Sequence, residues 1–256
     1  AGGRSTWNTW LSCEETVAGP EDLDDGGRSF GRPHGFVFDV PVEGAKSPRP
    51  IESLGRFVHE ALAIEPQTGI VYLSEDSDLA GFNRMNPQDH QDLHQGGRYQ
   101  MFACKKITHS RKNLKSVQAN EVNWVDIDYR MRAHTPGTRD GQGVFRQGKQ
   151  RGGLTFARLE GCAVHDGKVF ITATSGGHAE AGQVWQYDPA EEQLKLLFES
   201  PGAEVLDMPD NMTVSPRAGI LLCEDGDRVL CGWCRHITEI AFGRPLPEPS
   251  VPEQAG

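Results

Sequence analysis

EALAIEPQTGIVYLSED, residues 60–76, is the most informative stretch of this chain. Two short alternating apolar segments flank a turn that ends in Gly69, with Glu60 before the first segment and Glu75 and Asp76 after the second. This pattern predicts an antiparallel β-hairpin, in which the start of the first strand lies beside the end of the second. We therefore expect Glu60 to lie close to Glu75 and Asp76.

Two later stretches repeat this organisation. They are EGCAVHDGKVFITAT at residues 160–174 and DNMTVSPRAGILLCED at residues 210–225, so the first acids of the three stretches are 100 and 50 residues apart. A period of about 50 residues is typical of the four-stranded blades of a β-propeller. The sequence thus predicts an all-β fold with about five blades, one of them a poorly matched unit between the first two stretches.

Strand signals dominate the rest of the chain, and amphipathic helix is scarce. We predict one propeller domain over residues 1–242, followed by a proline-rich, disordered tail over residues 243–256. Further strands are predicted around residues 9–11, 35–40, 98–104, 122–127, 182–189 and 194–198. Weakly structured stretches are predicted at residues 42–53, 78–97 and 130–153, the last as a long loop between blades.

The composition argues against two classes of partner. The 256 residues carry a net charge of −10, which argues against a broad surface for nucleic acid or anionic lipid. A mean hydropathy of −0.52 predicts a soluble chain, and no apolar run is long enough for membrane insertion. The six cysteines are irregularly spaced and predict no disulfide framework, and the lone C-x-x-C at Cys231 and Cys234 is a weak signal for zinc.

The acids at the ends of the predicted hairpins are candidate metal ligands. Like charges crowded in this way require protonation or a bound cation, and carboxylates suit hard cations such as Ca²⁺. The alternative is that these pairs are simply turn residues facing solvent, which the shared register of three pairs disfavours. The acids are Glu60, Glu75, Asp76, Glu160, Asp210, Glu224 and Asp225.

A cysteine precedes a further acidic pair in WNTWLSCEE, residues 7–15. Cys13 before Glu14 and Glu15 resembles the second strand of the repeated stretch, and a thiolate among carboxylates favours a softer transition metal such as iron. A buried apolar cysteine is an equally good interpretation.

Arg158 lies two residues before Glu160, and residues i and i+2 of a strand share a face. Its guanidinium is therefore placed either to bind a phosphate oxygen or to form a salt bridge with a carboxylate. His59 is expected to face away from Glu60 and to pack.

At these residues the sequence resembles the PhoX-type alkaline phosphatase family. The similar runs follow the family order over most of the chain, which is far more specific than any one motif. They are residues 7–15, 55–60, 69–76, 81–84, 158–161, 182–189, 206–216 and 223–226.

The resemblance implies a six-bladed propeller with iron and calcium ions on its axis. It also implies hydrolysis of phosphate monoesters and export to the periplasm or beyond by the twin-arginine route. The family's bridging iron ligand falls on Cys13, its metal-binding glutamates on Glu60 and Glu160, and its phosphate-contacting arginine on Arg158.

The chain departs from the family in several respects. Ser12 replaces the family's threonine before the cysteine, Leu159 and Cys162 are variations around Glu160, and family members extend beyond both ends of this chain. Because the sequence begins with Ala1 rather than methionine, we expect a processed product or a partial chain, with a propeller that is incomplete.

These observations predict a monomeric, metal-dependent phosphatase that acts on small phosphate esters, with iron and calcium as cofactors and Arg158 as the catalytic residue. The alternatives are a calcium-dependent, lactonase-like propeller and a non-catalytic, metal-stabilised binding propeller. The predicted metal ligands are Cys13, Glu14, Glu60, Glu75, Glu160, Asp210 and Glu224.

Overall fold

The computed structural model of the protein describes residues 1–22, 29–43, 48–111, 120–215, 219–226 and 237–241. The C-x-x-C at Cys231 and Cys234 and the proline-rich tail lie outside these residues. The strands are β1 (Gly2–Arg4), β2 (Trp10–Cys13), β3 (Val37–Val40), β4 (His59–Ile64), β5 (Val71–Glu75), β6 (Asn83–Pro87), β7 (Gly97–Cys104), β8 (Asn120–Asp126), β9 (Leu159–His165), β10 (Lys168–Ala173), β11 (Gln183–Asp188), β12 (Gln193–Glu199), β13 (Pro209–Ser215), β14 (Gly219–Glu224) and β15 (Ile237–Ala241).

Three short helices interrupt the strands. They are the 3-10 helices Glu52–Leu54 and Leu93–Gln95 and the α-helix α1, Gly143–Gln150. No helix in the described ranges combines the length and the apolarity that crossing a membrane requires.

The described strands form four successive antiparallel groups, which we call blades I to IV; the β1–β4 and β8–β12 pairs join the first three into one twelve-stranded sheet. Blade I contains β1–β3, blade II β4–β8, blade III β9–β12 and blade IV β13–β15. The first strands of blades II, III and IV contact one another, β4 beside β9 and β9 beside β13, and β1 pairs in parallel with β4. Antiparallel sheets arranged in this way around their first strands form a β-propeller, so the predicted all-β fold class is confirmed.

The three repeated stretches form the predicted hairpins at the start of blades II, III and IV. His59 lies opposite Glu75 in the β4–β5 ladder, and Pro209 lies opposite Glu224 in the β13–β14 ladder. The acidic residues at the two ends of the first and third hairpins are therefore neighbours, as predicted. The other predicted strands are also present, as β2, β3, β7, β8, β11 and β12.

The prediction of a long loop over residues 130–153 is wrong, because this region contains α1. The helix has eight residues, two of them glycines, and it buries Val144, Phe145 and Gly148 while its remaining side chains are more exposed. So short a helix depends on tertiary packing rather than on its own propensity. Similarly, the stretch at residues 78–97 contains strand β6.

No separate blade lies between the first two repeated stretches in the described part of the chain. Residues 59–126 form the five strands of blade II, whose last strand β8 also pairs with β12 of blade III at Glu121 and Gln193. The chain then passes through α1 to β9. The 100-residue interval is one enlarged blade, and the part of the chain that the structure describes contains four blades.

Both faces of blades II and III are buried, because each blade packs between two neighbours. Along blade II, Leu62, Leu73 and Met101 pack towards blade I, whereas Tyr72 and Phe102 on the alternate face pack towards blade III. This alternation follows from the period of two in a strand. Phe170 and Val184 of blade III pack in turn against blade IV, where they contact the cluster of Met212, Ile220 and Leu222.

A β-bulge occurs at the same place in each of the three repeated hairpins. Two residues of the first strand oppose one residue of the second: Glu60 and Ala61 oppose Ser74, and Glu160 and Gly161 oppose Thr172. The β13–β14 ladder shifts its register at Asp210 in the same way. Bulges re-aim side chains, and here they re-aim the first acid of each stretch.

Buried hydroxyl groups satisfy the backbone at two of these bulges and join adjacent blades. Ser74 Oγ accepts from Ala61 N at 2.9 Å and donates to Glu160 O of the next blade at 2.6 Å. Thr172 Oγ1 accepts from Gly161 N at 2.7 Å and donates to Asp210 O of the following blade at 2.8 Å. We call these contacts the inter-blade hydroxyl bridges.

Gly161 permits blades III and IV to approach this closely. A Cβ at Gly161 would lie 2.8 Å from Asp210 O and 3.0 Å from Met212 N, both backbone atoms. Any larger residue would therefore move β13 away from β9 and separate Asp210 from Glu160.

We expect Thr172→Val to lower the free energy of unfolding by about 1–3 kcal/mol, because it leaves Gly161 N and Asp210 O buried without their partner. Thr172→Ser keeps the hydroxyl and should cost less. Denaturant unfolding of both variants measures the difference. Equal losses in the two variants would mean that the hydroxyl bridge does not stabilise the fold.

Candidate functional site

Three buried or half-buried acids meet where the first strands of blades II, III and IV lie side by side. Glu60, Glu160 and Asp210 are each the second residue of their strand, β4, β9 and β13. The bulges and hydroxyl bridges described above hold these three positions next to one another. The structure thus brings together three of the predicted metal ligands, and we call this group the carboxylate cluster.

Glu160 and Asp210 are close enough to share a hydrogen bond between their side chains. Two carboxyl oxygens can form such a bond only if one of them carries a proton or if a cation takes the proton's place. Burial, reinforced by the bond to Asp210, raises the pKa of Glu160 well above its ordinary value. Burial and the charges of Glu15, Asp210 and Asp76 likewise raise the pKa of Glu60.

Arg158 supplies a positive charge at this cluster. Its Nη2 lies 2.5 Å from Glu160 Oε1, and its Nε donates to Asp76 Oδ1 at 3.0 Å. Burial lowers the pKa of Arg158, but these contacts and the nearby charge of Asp225 outweigh burial, so the pKa is raised overall. The side chain is 31% exposed, so an anion from solvent can reach the guanidinium.

Arg158 reaches Glu160 by a different route from the one that sequence spacing predicts. It lies just before β9 in the left-handed region, with φ 50°, rather than in an extended strand. Two backbone hydrogen bonds fix this conformation, from Arg158 N to Ser77 O at 2.9 Å and from Thr174 N to Arg158 O at 2.8 Å. The predicted proximity is present, although the strand geometry behind that prediction is not.

Cys13 lies at the same end of the fold, at the end of β2. Burial and the charges of Glu60 and Glu15 raise the pKa of its thiol to about 12. The thiol therefore remains protonated at neutral pH unless a metal ion displaces the proton. The structure brings Cys13 and Glu60 together, as predicted.

In three acidic pairs, the first member bonds to a backbone N–H of a nearby loop. Glu14 accepts from Gly35 N at 2.8 Å and from Phe36 N at 3.0 Å, and Glu75 accepts from Gly81 N at 2.8 Å. Glu224 accepts from Asp207 N at 3.0 Å. Glu14, Glu75 and Glu224 are all predicted metal ligands, and these hydrogen bonds hold their carboxylates against the loops.

The second member of each pair interacts with the cluster. The charge of Glu15 raises the pKa values of Glu60 and Cys13. The charge of Asp76 raises the pKa of Glu60, and Asp76 also binds Arg158. The charge of Asp225 raises the pKa of Arg158. Alternation along a strand explains this reversal: Glu75 lies opposite His59, one residue from Glu60, so it shares the face of His59. Counting the register from the bulge would have distinguished Asp76 from Glu75.

His59 packs as predicted. It is fully buried, its ring centroid lies 3.6 Å from that of Phe57, and burial lowers its pKa to about 3. It is therefore neutral.

The chemistry of these side chains fits the metals that the family resemblance implies. The cluster offers carboxylate oxygens, which bind hard cations, and one thiol, which binds transition metals. Among the described residues, no three His, Cys, Asp or Glu side chains are gathered around one point as they stand. The hydrogen bond between Glu160 and Asp210 and the ion pairs of Arg158 occupy these groups, and a metal ion would have to replace some of those contacts.

Comparison with known proteins places this chain beside one family and one solved structure. The family model described as alkaline phosphatase PhoX matches residues 1–241. A solved structure, that of Pseudomonas fluorescens PhoX in complex with vanadate, a transition state analogue, is similar with a TM-score of 0.64 and 18% sequence identity. The similarity covers 91% of this chain and 56% of that one, so this chain spans little more than half the length of its relative. A search of curated proteins found no match.

We expect the free energy of unfolding of the metal-free protein to fall as pH rises from about 5 to about 8. Burial raises the pKa of Glu75 from 4.5 to about 8, and those of Glu60 and Glu160 are also raised. The folded protein then binds more protons than the unfolded chain, so this stability is complete below pH 4.5 and is lost as pH rises through the raised values. Urea unfolding in the presence of a chelator measures it.

Glu160→Gln should flatten this pH dependence, because glutamine cannot ionise. Glu65→Gln is the control. Burial raises the pKa of Glu65, but hydrogen bonds from Thr68 and Gln67 outweigh burial and lower that pKa, so Glu65 is already ionised above pH 5. It should lower stability equally across the range. A flat curve for the unmodified protein would contradict the raised pKa values.

Proposed function

The chain belongs to the alkaline phosphatase PhoX family, and from that premise we propose that it hydrolyses phosphate monoesters at the carboxylate cluster. The observation that carries the proposal is the position of Arg158, a half-exposed guanidinium beside crowded, buried carboxyl groups at the meeting point of the blades. Family membership and this position support the activity. Small phosphate esters are the proposed substrates.

The charge balance of the cluster explains why this chemistry requires metal ions. A phosphate monoester is a dianion at alkaline pH, and the cluster presents it with several carboxylates against the single charge of Arg158. Repulsion would exclude the substrate unless cations outweighed the acids. We therefore propose that the protein binds iron and calcium, as the family resemblance implies.

The residues that would hold these metals are those at the cluster. Cys13 suits iron, and the carboxylates suit either iron or calcium. They are Glu15, Glu60, Asp76, Glu160, Asp210 and Asp225. Bound there, metal ions supply positive charge to the phosphoryl oxygens as the charge on them rearranges.

Arg158 would bind one phosphoryl oxygen directly. Asp76 holds Nε and Nη2 of the guanidinium, at 3.0 and 3.4 Å, and so fixes its plane. Because the Arg158 side chain is 31% exposed, a substrate can reach the guanidinium from solvent.

Two other functions remain to be tested. A lactonase-like propeller needs one calcium ion and no thiol, so the position of Cys13 beside Glu60 favours the phosphatase. A binding propeller without catalysis would follow if the length beyond this chain is required for activity. Metal analysis of the purified protein, combined with hydrolysis of p-nitrophenyl phosphate, separates all three functions. Iron with calcium indicates the phosphatase, calcium alone the lactonase-like propeller, and neither metal the binding propeller.

We expect Cys13→Ala to lose iron and to retain the fold. The variant removes the Cys13 thiol but leaves the paired backbone of β2 unchanged, and loss of a ligand should weaken metal binding by about tenfold or more. Metal content and circular dichroism measure the two effects. Cys223→Ala is the control, because Cys223 is free and exposed. Equal iron content in both variants would remove Cys13 from the metal site.

We expect Arg158→Ala to lower kcat/KM for p-nitrophenyl phosphate by tens- to hundreds-fold, or about 2–4 kcal/mol in transition-state stabilisation. The variant loses a charged, two-pronged donor to the phosphoryl group. Arg158→Lys retains the charge but loses the planar fork, so it should recover only part of the rate. Metal content and a melting curve are measured alongside. An unchanged kcat/KM in the folded, metal-loaded variant would show that Arg158 only forms salt bridges.

A further inference from the structure

The loop after β7 is strongly basic in an otherwise acidic chain. Residues 105–115 read KKITHSRKNLK, with five lysines and arginines and no acid, whereas the whole chain has a net charge of −10. The structure describes this loop as far as Arg111, and we call residues 105–111 the basic loop. Lys105 and Lys106 are exposed, and Arg111 is half-buried.

Strand direction places the basic loop at the same end of blade II as the carboxylate cluster. β5 and β7 are both antiparallel to β6, which lies between them, so they run in the same direction. β5 ends at Glu75, next to Asp76, and β7 ends at Cys104, next to Lys105. The loop therefore leaves its blade at the end where Asp76 binds Arg158.

Hydrogen bonds fasten the basic loop to the segment that leads into Arg158. Ser110 N donates to Thr155 O at 2.8 Å, and Thr155 N donates to Thr108 O at 3.1 Å. Thr155 is three residues before Arg158 in the sequence. The loop thus lies against the backbone that carries the phosphate-binding arginine.

Arg111 extends this contact to blade III. Its Nε donates to Ser175 O at 2.9 Å and its Nη2 to Ser175 Oγ at 2.7 Å. Ser175 directly follows Thr174, whose N–H binds Arg158 O. The Arg111 guanidinium is therefore fixed beside the rim of the cluster, one residue from the strand end that positions Arg158.

The groups around Arg111 retain unused capacity for an anion. Ser175 engages Nε and Nη2, and no ion pair among the described residues includes Arg111. The hydroxyls of Ser110 and Thr155 are buried, at 0% and 1% exposure, and have no hydrogen-bond partner. Buried hydroxyls are normally satisfied, so two unsatisfied ones in the segments where the basic loop meets Thr155 indicate room for a polar ligand there.

One acid lies near this group but forms no ion pair with Arg111 among the described residues. Glu199 accepts from His178 N at 3.0 Å through Oε1 and from Gln183 Nε2 at 2.7 Å through Oε2. Gln183 Nε2 also donates to Ser110 O at 3.0 Å. Both carboxylate oxygens of Glu199 therefore already have neutral donors.

We propose that Lys105, Lys106 and Arg111, with the hydroxyls of Ser110 and Thr155, form a second anion-binding subsite on the rim of the cluster. It binds the far end of a phosphate monoester that carries another phosphate or a carboxylate. The proposal rests on the proposed phosphatase function, because the cluster takes the phosphate that is hydrolysed. Arginine supplies the directional contact, and the two lysines supply positive potential around it.

The test compares two substrates with the same six-carbon chain at the scissile phosphate, 1,6-hexanediol monophosphate and 1,6-hexanediol bisphosphate, which differ only in whether the far end is a hydroxyl or a second phosphate, in metal-loaded protein. We expect kcat/KM for the bisphosphate to exceed that for the monophosphate by about tenfold or more, since one charge-assisted hydrogen bond contributes that much. We expect the ratio of the two kcat/KM values to fall by at least about threefold in Arg111→Gln and in the double variant Lys105→Gln with Lys106→Gln. High salt should reduce the ratio in the same way, because it screens the charges.

The control removes two positive charges at the opposite end of blades II and III. Arg98, which pairs with Asp126, and Lys168, which pairs with Asp188, are both changed to glutamine. This double variant should keep the ratio of the unmodified protein. A ratio near one in the unmodified protein, or equal ratios in the subsite and control variants, would overturn the subsite.

A second measurement separates this proposal from the proposed function. If neither substrate is hydrolysed, the phosphatase proposal fails, and binding of inorganic tripolyphosphate by calorimetry still tests the subsite. We then expect Arg111→Gln to weaken binding by about tenfold and the Arg98 and Lys168 control to leave it unchanged. Equal affinities in the two variants would overturn the subsite whether or not the protein is an enzyme.

Discussion

The hydrogen bonds of two buried hydroxyls, those of Ser74 and Thr172, are the constraint on which the site depends. Each hydroxyl accepts from the backbone of its own bulge and donates to the carbonyl of an acid on the next blade. A bulge leaves an N–H without a ladder partner, and a buried N–H without a partner costs about 1–3 kcal/mol. The same group that removes this cost also fixes the distance between blades, so local backbone satisfaction and the assembly of the cluster are coupled.

This coupling explains how the fold tolerates acids that repel one another. Glu60, Glu160 and Asp210 are on separate strands whose backbones are fixed by hydrogen bonds and by three apolar clusters between blades. The acids cannot separate without breaking those contacts. Burial, with the charges of neighbouring acids added to it, therefore raises the pKa values of Glu60 and Glu160 while the structure stays closed. Protons relieve the repulsion in the metal-free protein, and cations would relieve it at higher pH.

Backbone conformation at the start of the first strands is part of the same arrangement. Arg158 and Met208 directly precede β9 and β13, and both have positive φ, 50° and 52°. Each accepts a backbone hydrogen bond from the end of its hairpin, from Thr174 N and Asp225 N respectively. Non-glycine residues held in this region carry strain of order 1–3 kcal/mol, which the surrounding hydrogen bonds must offset. At Arg158 this strained turn directs the guanidinium towards Asp76 and Glu160.

The sequence by itself determined the hairpins, their alternation, the repeated first acids and the similarity to the family, because these depend on short-range periodicity and on turn residues. Only the tertiary structure determined which member of each acidic pair faces the cluster. The reason is the bulge: one extra residue in the first strand reverses the faces, so Asp76 rather than Glu75 meets Arg158. The sequence also gave no sign of α1, which depends on packing, or of the bond between Ser74 and Glu160. Those two residues are 86 positions apart and meet only when adjacent blades pack.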